Sequence, residues 1–244
     1  MATDTVMKTR NELVNKLEAQ LNKMVNEEFH SPAWKQKESV PLTLERVRFK
    51  AMQTLPFVMN RRDCWAIVQS KAPLDVKQAV WKHEEDELIM DERVGSNHPA
   101  AQLDEARRLG VPEEDLKDIR PIPEVKAALY AWLHLANSRS WLAILAASHI
   151  LERHNNSDLV KGGGGSARWR ERVMKELGIE QHKLTSTNVH VEADIEHTDL
   201  IWEAIARHVC DERSYNEVME GARESLDIMA AYHSAVALGM SRLP

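Results

Sequence analysis

The chain has 244 residues, 43% hydrophobic and 29% charged, with 9 Gly and 9 Pro. This excludes collagen-like and low-complexity chains and suits a folded protein. Lys and Arg number 32 against 38 Asp and Glu, a net charge of -6, so no basic face for duplex nucleic acid is expected.

Met1–Gln20 carries Asp4, Lys8, Arg10 and Glu12 without an apolar core, unlike a secretory signal. Cys64 and Cys210 are too few for a secreted disulfide framework, so a cytoplasmic location is expected. Val14, Leu17, Leu21 and Met24 recur at helical spacing. Residues 1–40 therefore read as an N-terminal helix followed by a loop around Pro32 and Pro41. A helix from Thr43 toward Ile67 should be kinked or split by Pro56. A third opens at Pro73 and runs through Leu88, ending before the Gly95-Ser96-Asn97 turn. Pro99 fits the first turn of a helix that ends at Gly110.

Helices are expected at Glu124–Asn137 and Ser140–His154. The apolar stretches Ala127–Ala136 and Trp141–Ser148 fall short of the ~18 residues a membrane span needs. Lys161–Ser166, with four consecutive glycines, reads as a flexible loop inside one domain. Helices at Ala167–Leu177, Asn188–Val209 and Tyr215–Leu238 complete the chain. The expected architecture is one all-α domain, 1–244, of about seven to eight helices.

The strongest local feature is His190-Val-Glu-Ala-Asp194-Ile-Glu-His197. Its His, Asp and His lie at i, i+4 and i+7, one stripe of a helix. Two imidazoles and a carboxylate are ligand types for iron, manganese or zinc. A second feature is the acidic run after His83: Glu84, Glu87 and Asp91 at spacings of three and four, then His98. Like charges at that spacing repel unless a cation or basic partner lies between them. Here His83 reads as a hydrogen-bonding neighbour of the acidic run. Glu152 extends the stripe Trp141, Leu145, Ser148, where a carboxylate is costly to bury unless paired or metal-bound. The ferritin-like class needs two Glu-x-x-His motifs, and the chain offers only Glu27–His30.

In order, Asp86-Glu87 with His98, then Glu152, then His190-x3-Asp194-x2-His197 resemble the heme-oxygenase-like diiron oxidase and oxygenase family. The resemblance spans Pro73 to Val209 and implies a heme-oxygenase-like helical bundle. It implies two Fe(II) held by Glu87, His98, Glu152, His190, Asp194 and His197, with Asp91 and Glu84 as rivals for the first carboxylate. It also implies O2 as cosubstrate and a peroxo-bridged diferric oxidant acting on a small carboxylate-bearing molecule, an amino acid or derivative. The outcomes are C–C cleavage, N-oxygenation or nitrile formation. An external reductant and a homodimer fit the family, with no nucleic acid and no membrane. For a substrate carboxylate, Arg207, Arg168 and Arg213 are the candidate partners, and Trp132 is a candidate pocket wall. Two rival readings remain. One is a cofactor-independent enzyme of the thiaminase or pyrroloquinoline-quinone-synthase kind, which would need a reactive Cys or a basic cavity. The other is a non-enzymatic helical binding protein whose acidic faces only solvate.

Overall fold

The computed structural model describes the backbone of residues 2–244 and the side chains of residues 10–244. Asp4 and Lys8, part of the argument against a secretory signal, lie outside the described side chains. The helices are α1 Ala2–Glu28, α2 Pro32–Ser39, α3 Leu44–Lys71, α4 Leu74–Glu84, α5 His98–Arg108 and α6 Glu113–Leu116. They continue with α7 Pro123–Ser138, α8 Trp141–Asn155, α9 Gly165–Leu177, α10 Thr185–His208 and α11 Glu212–Ser241. A π-helical turn, Glu85–Ile89, extends α4, and a 3-10 turn, Gln181–Lys183, precedes α10. Among the described residues there is no strand, only an isolated bridge between Asp91 and Ser96. Among the described residues no helix is long and apolar enough to cross a membrane.

The helix count exceeds the expected seven to eight because short segments also fold. Residues 32–39 are helical, not loop: Ser31 Oγ accepts from Trp34 N at 3.0 Å, and Pro32 takes the first helical position. There its missing N–H costs nothing. Pro56 does not split α3, which is helical from Leu44 to Lys71. The helix starts rest on local caps. Thr43, Asn97 and Ser140 accept from backbone N–H groups of α3, α5 and α8, and Asp211 and Ser214 form a capping box on α11.

Helix α8 is the axis of the bundle. Every residue from Leu142 to His154 is buried, the pattern of a helix enclosed on all sides. Helices α3, α7, α10 and α11 pack around it, and α1 and α9 complete the ring. A Cβ at Gly221 of α11 would lie 2.0 Å from the Ala143 carbonyl oxygen of α8, so glycine sets this close approach.

The glycine stretch is also built, not slack. Gly162 and Gly163 have φ of 80° and 88°, where side chains are strained. A Cβ at Gly164 would meet the Asn155 carbonyl oxygen at 1.9 Å. Gly221→Ala is expected to destabilise the chain by about 1–3 kcal/mol through overpacking, read as a lower denaturation midpoint. An unchanged midpoint would show that α8 and α11 can separate freely.

Candidate metal centre

Four elements bring imidazoles and carboxylates to one side of α8. Helix α4 and its π-helical turn carry His83, Glu84, Asp86 and Glu87. Helix α5 begins at His98, α8 supplies Glu152, and α10 supplies His190, Asp194 and His197. Two overlapping sets result. His83, Glu87, Glu152 and His197 form one, and Glu87, His98 and His190 form the other. Within each set the potential ligand atoms lie within 4.8 Å of one another, and Glu87 belongs to both. Asp194 adjoins them, with Oδ1 4.0 Å from His197 Nδ1.

Each imidazole is held from behind. His83 Nδ1 faces Glu84 Oε1 at 3.0 Å, and His98 Nε2 faces Asp91 Oδ2 at 2.9 Å. His190 Nδ1 donates to the Ser186 carbonyl at 2.7 Å, and His197 Nε2 faces Asp86 Oδ2 at 3.3 Å. In each ring the other nitrogen is left for the cluster, the arrangement by which outer carboxylates and carbonyls orient metal-binding histidines. The structure thus puts Glu84 and Asp91, the rivals for the first carboxylate, behind His83 and His98, and Glu87 among the inward-facing atoms. The basic partner that the acidic run requires is Arg62 of α3. Its Nη1 lies 3.1 Å from Glu84 and 2.5 Å from Glu87.

The inward atoms test whether a metal fits. His197 Nδ1 and both carboxylate oxygens of Asp194 are buried and make no hydrogen bond. His83 Nε2, His98 Nδ1 and Glu87 Oε2 are buried too, each with one charged neighbour: Glu152 at 3.4 Å, Glu87 at 3.0 Å and Arg62 at 2.5 Å. Orphaned polar atoms are rare in protein interiors and costly, and a bound cation would satisfy them. The charge agrees. Six carboxylates, Glu84, Asp86, Glu87, Asp91, Glu152 and Asp194, outnumber the nearby guanidiniums of Arg62, Arg93 and Arg61. Bound cations would offset the excess negative charge. The nitrogen and oxygen donor set suits iron or manganese.

The titration shifts carry the same imprint. Burial disfavours a charged His83, but hydrogen bonds to Glu152 and Glu84 outweigh it and raise its pKa to about 9. Burial opposes charge on His98 too, yet Glu87 and Asp91 raise it to about 9. Burial drives Asp194 well above the carboxylate range, reinforced by the nearby Glu152.

Sequence reasoning missed His83 as a ligand candidate, having read it as a neighbour of the acidic run. Its spacing of four from Glu87 was the available signal. The four residues named for the substrate lie as follows. Arg207 and His208 bind Asp75 at the end of α10, and Arg213 is exposed beside Glu217. Arg168 donates to the carbonyls of Gly163 and Lys161 in the glycine loop. Trp132 is a core residue whose Nε1 donates to Ser225 Oγ at 3.0 Å. None of them lines the cavity of about 120 Å³ that reaches His190. That cavity takes its cations from Lys37 and Lys50.

The chain is an all-α bundle of the heme-oxygenase-like fold with a candidate metal centre in its core. Its backbone is similar to a domain of unknown function with that fold from Shewanella denitrificans (14% identity, TM-score 0.74, 93% of each chain covered). It is similar to a CADD-like protein of unknown function from Nostoc punctiforme (18% identity, TM-score 0.74, 93% of this chain and 97% of that one). A TenA family transcription regulator from Silicibacter matches with 16% identity and a TM-score of 0.61, over 93% of this chain and 97% of its own. No curated protein matches the sequence. The chain belongs to the iron-containing redox enzyme family, whose model matches residues 48–230 and so spans both ligand sets.

A proton count checks the centre. His83 and His98, with pKa raised to about 9, are protonated at neutral pH and must lose those protons to ligate. Anaerobic Fe(II) loading near pH 7.5 is expected to release at least two protons per chain, with one more from Asp194 where it ligates, measured by back-titration. Stoichiometric loading without proton release would show that these imidazoles do not bind the metal.

Proposed function

We propose that the chain is a non-heme diiron, O2-dependent oxidase or oxygenase acting on a small carboxylate-bearing substrate, an amino acid or derivative. The observation that carries this reading is the sharing of Glu87 between two adjacent sets of buried donors. A carboxylate common to two sets is the natural bridge of a dinuclear centre in a helical bundle. His83, Glu152 and His197 would hold one iron with Glu87, and His98 and His190 the other. Asp194 lies within reach of the first set. A pair of ferrous ions supplies one-electron redox chemistry and open positions for O2.

The protein's own residues prepare this chemistry. Asp86, Glu84, Asp91 and the Ser186 carbonyl fix the rings. Arg62 compensates the charge of Glu87 and Glu84. Burial of every donor but the partly buried His190 keeps bulk water from the centre. C–C cleavage, N-oxygenation and nitrile formation all remain within the reach of such a site. An external reductant, a cytoplasmic setting and a homodimer belong to the same proposal.

The thiaminase-like alternative meets one of its two requirements. Cys64 is buried with Sγ 4.0 Å from Asn60 Oδ1, Cys210 is exposed before α11, and neither lines the cavity. Lys37 and Lys50 do make that cavity basic, but the donor sets around Glu87, which this alternative does not need, favour the metal reading.

Anaerobic loading should retain about two irons per chain, and a screen of amino acids should find one that triggers O2 uptake. His197→Ala and His190→Ala should each lose iron and O2 uptake together. Iron at background in the unaltered chain, or uptake unaffected by both substitutions, would refute the proposal.

A further inference from the structure

The cavity beside His190 holds lysines that the protein leaves without a counter-ion. Lys37 of α2 and Lys50 of α3 both line it. Lys37 is buried, its Nζ held 3.5 Å from the centre of the Trp34 ring, and Lys50 Nζ sits 4.4 Å from that of Trp169. Such cation–π contacts place an ammonium without neutralising it. The nearby carboxylates are engaged elsewhere. Glu38 pairs with Arg172 at 3.7 Å, and Glu28 accepts from Ser31 Oγ at 3.2 Å. Glu105 accepts from the backbone N–H and hydroxyl of Thr187 at 2.7 and 3.0 Å. Among the described residues no carboxylate forms an ion pair with either lysine. Burial and the neighbouring Lys50 lower Lys37 to about 7.

Two further groups point the same way. His154 of α8 and His233 of α11 line the cavity and are buried. Both ring nitrogens of His154 and Nδ1 of His233 lack a hydrogen-bond partner. An imidazole carries at least one N–H in either protonation state, so each ring can donate to a ligand in the cavity. Two lysines, which a bound anion would hold protonated, and two imidazoles with unpartnered nitrogens around an aromatic-walled space form a receptor for an anion with an apolar body. Its volume, about 120 Å³, is close to that of dry protein cavities of roughly 150 Å³ that admit benzene.

We propose that Lys37 and Lys50, with His154 and His233, form the carboxylate-binding site of this cavity, and that its ligand is a small monocarboxylate with a body the size of one aromatic ring or a short alkyl chain. Calling that ligand the substrate rests on the function proposed above; the binding site itself does not.

Benzoate and its neutral isostere benzamide separate charge from shape. Titration calorimetry on the full chain, before and after anaerobic Fe(II) loading, should show benzoate binding at least tenfold tighter than benzamide. Lys37→Met and Lys50→Met keep the length of the side chain and remove its charge. Each should weaken benzoate about tenfold and leave benzamide unchanged, with folding checked by circular dichroism. Arg207→Met should change neither. Equal binding of the two probes, no benzoate binding at millimolar concentration, or full benzoate affinity in both folded Met variants would overturn the assignment. Should the variants not fold, the comparison of benzoate with benzamide in the unaltered chain decides. Iron stoichiometry in the same samples tests the diiron reading separately, since Lys37 and Lys50 are not metal ligands.

Discussion

Glu87 sits at 2% exposure, in a bundle interior where water cannot solvate a carboxylate. Burying such a charge alone would cost several kcal/mol. The bundle answers with partners from separate helices: Arg62 from α3 at 2.5 Å, His98 from α5 at 3.0 Å and His197 from α10 at 3.6 Å. Three helices that are distant in sequence are thus held to one side chain. Glu152, on the enclosed helix α8, adds a fourth. Its negative charge lies 3.4 Å from His83 and 3.9 Å from His197. The same residues that would bind metal therefore also determine how α3, α4, α5, α8 and α10 meet. Electrostatics here is part of the packing.

The π-helical turn makes this possible from a short stretch of chain. Met90 N bonds to the Glu85 carbonyl five residues back at 3.0 Å, a wider turn than the α-helical one and a recurrent feature of functional sites. Consecutive side chains Asp86 and Glu87 both reach His197, one at Nε2 and the other at Nδ1. One ring is thereby gripped on both edges from a single turn. Immediately after it, Asp91 pairs with Ser96 across a tight reversal and accepts from Arg93 N at 2.8 Å. That reversal delivers His98 to the start of α5.

What the sequence disclosed follows from helical geometry. The stripe His190, Asp194, His197 was legible because spacings of four and three repeat the turn of an α-helix. Glu152 was legible because a carboxylate on an apolar stripe demands an explanation. His83 was obscured because four acidic residues follow it, and because the π-helical turn changes the direction of everything after Glu84. Helix α2 was hidden by Pro32, which breaks a helix interior but suits a first turn. Lys37 and Lys50 gave no sequence signal at all. Their meeting depends on α2 and α3 closing over one cavity, and their aromatic partners Trp34 and Trp169 lie on different helices. The arginines near the ligand helix were attractive by position along the chain, yet Arg207 lies past the end of the buried stretch and turns to Asp75.

The bundle holds two compartments of opposite electrostatic character. The centre around Glu87 has an excess of carboxylates, and the cavity beside it has two ammoniums without ion-pair partners. The beginning of α10 is the wall they share. Ser186, Thr187 and His190 all line the cavity. Ser186 holds the ring of His190 through its carbonyl, and Thr187 anchors the segment to Glu105 of α5. An anion drawn to the lysines would therefore lie against the turn that aims His190 at the cluster. Water-excluded charges act over such separations far more strongly than exposed ones. The sign also matters. Placing the positive groups in the cavity and the negative ones in the centre keeps a carboxylate ligand away from the donors of Glu87 and Asp194, which like charge would otherwise make costly neighbours. It leaves the opposite end of the ligand free to approach His190.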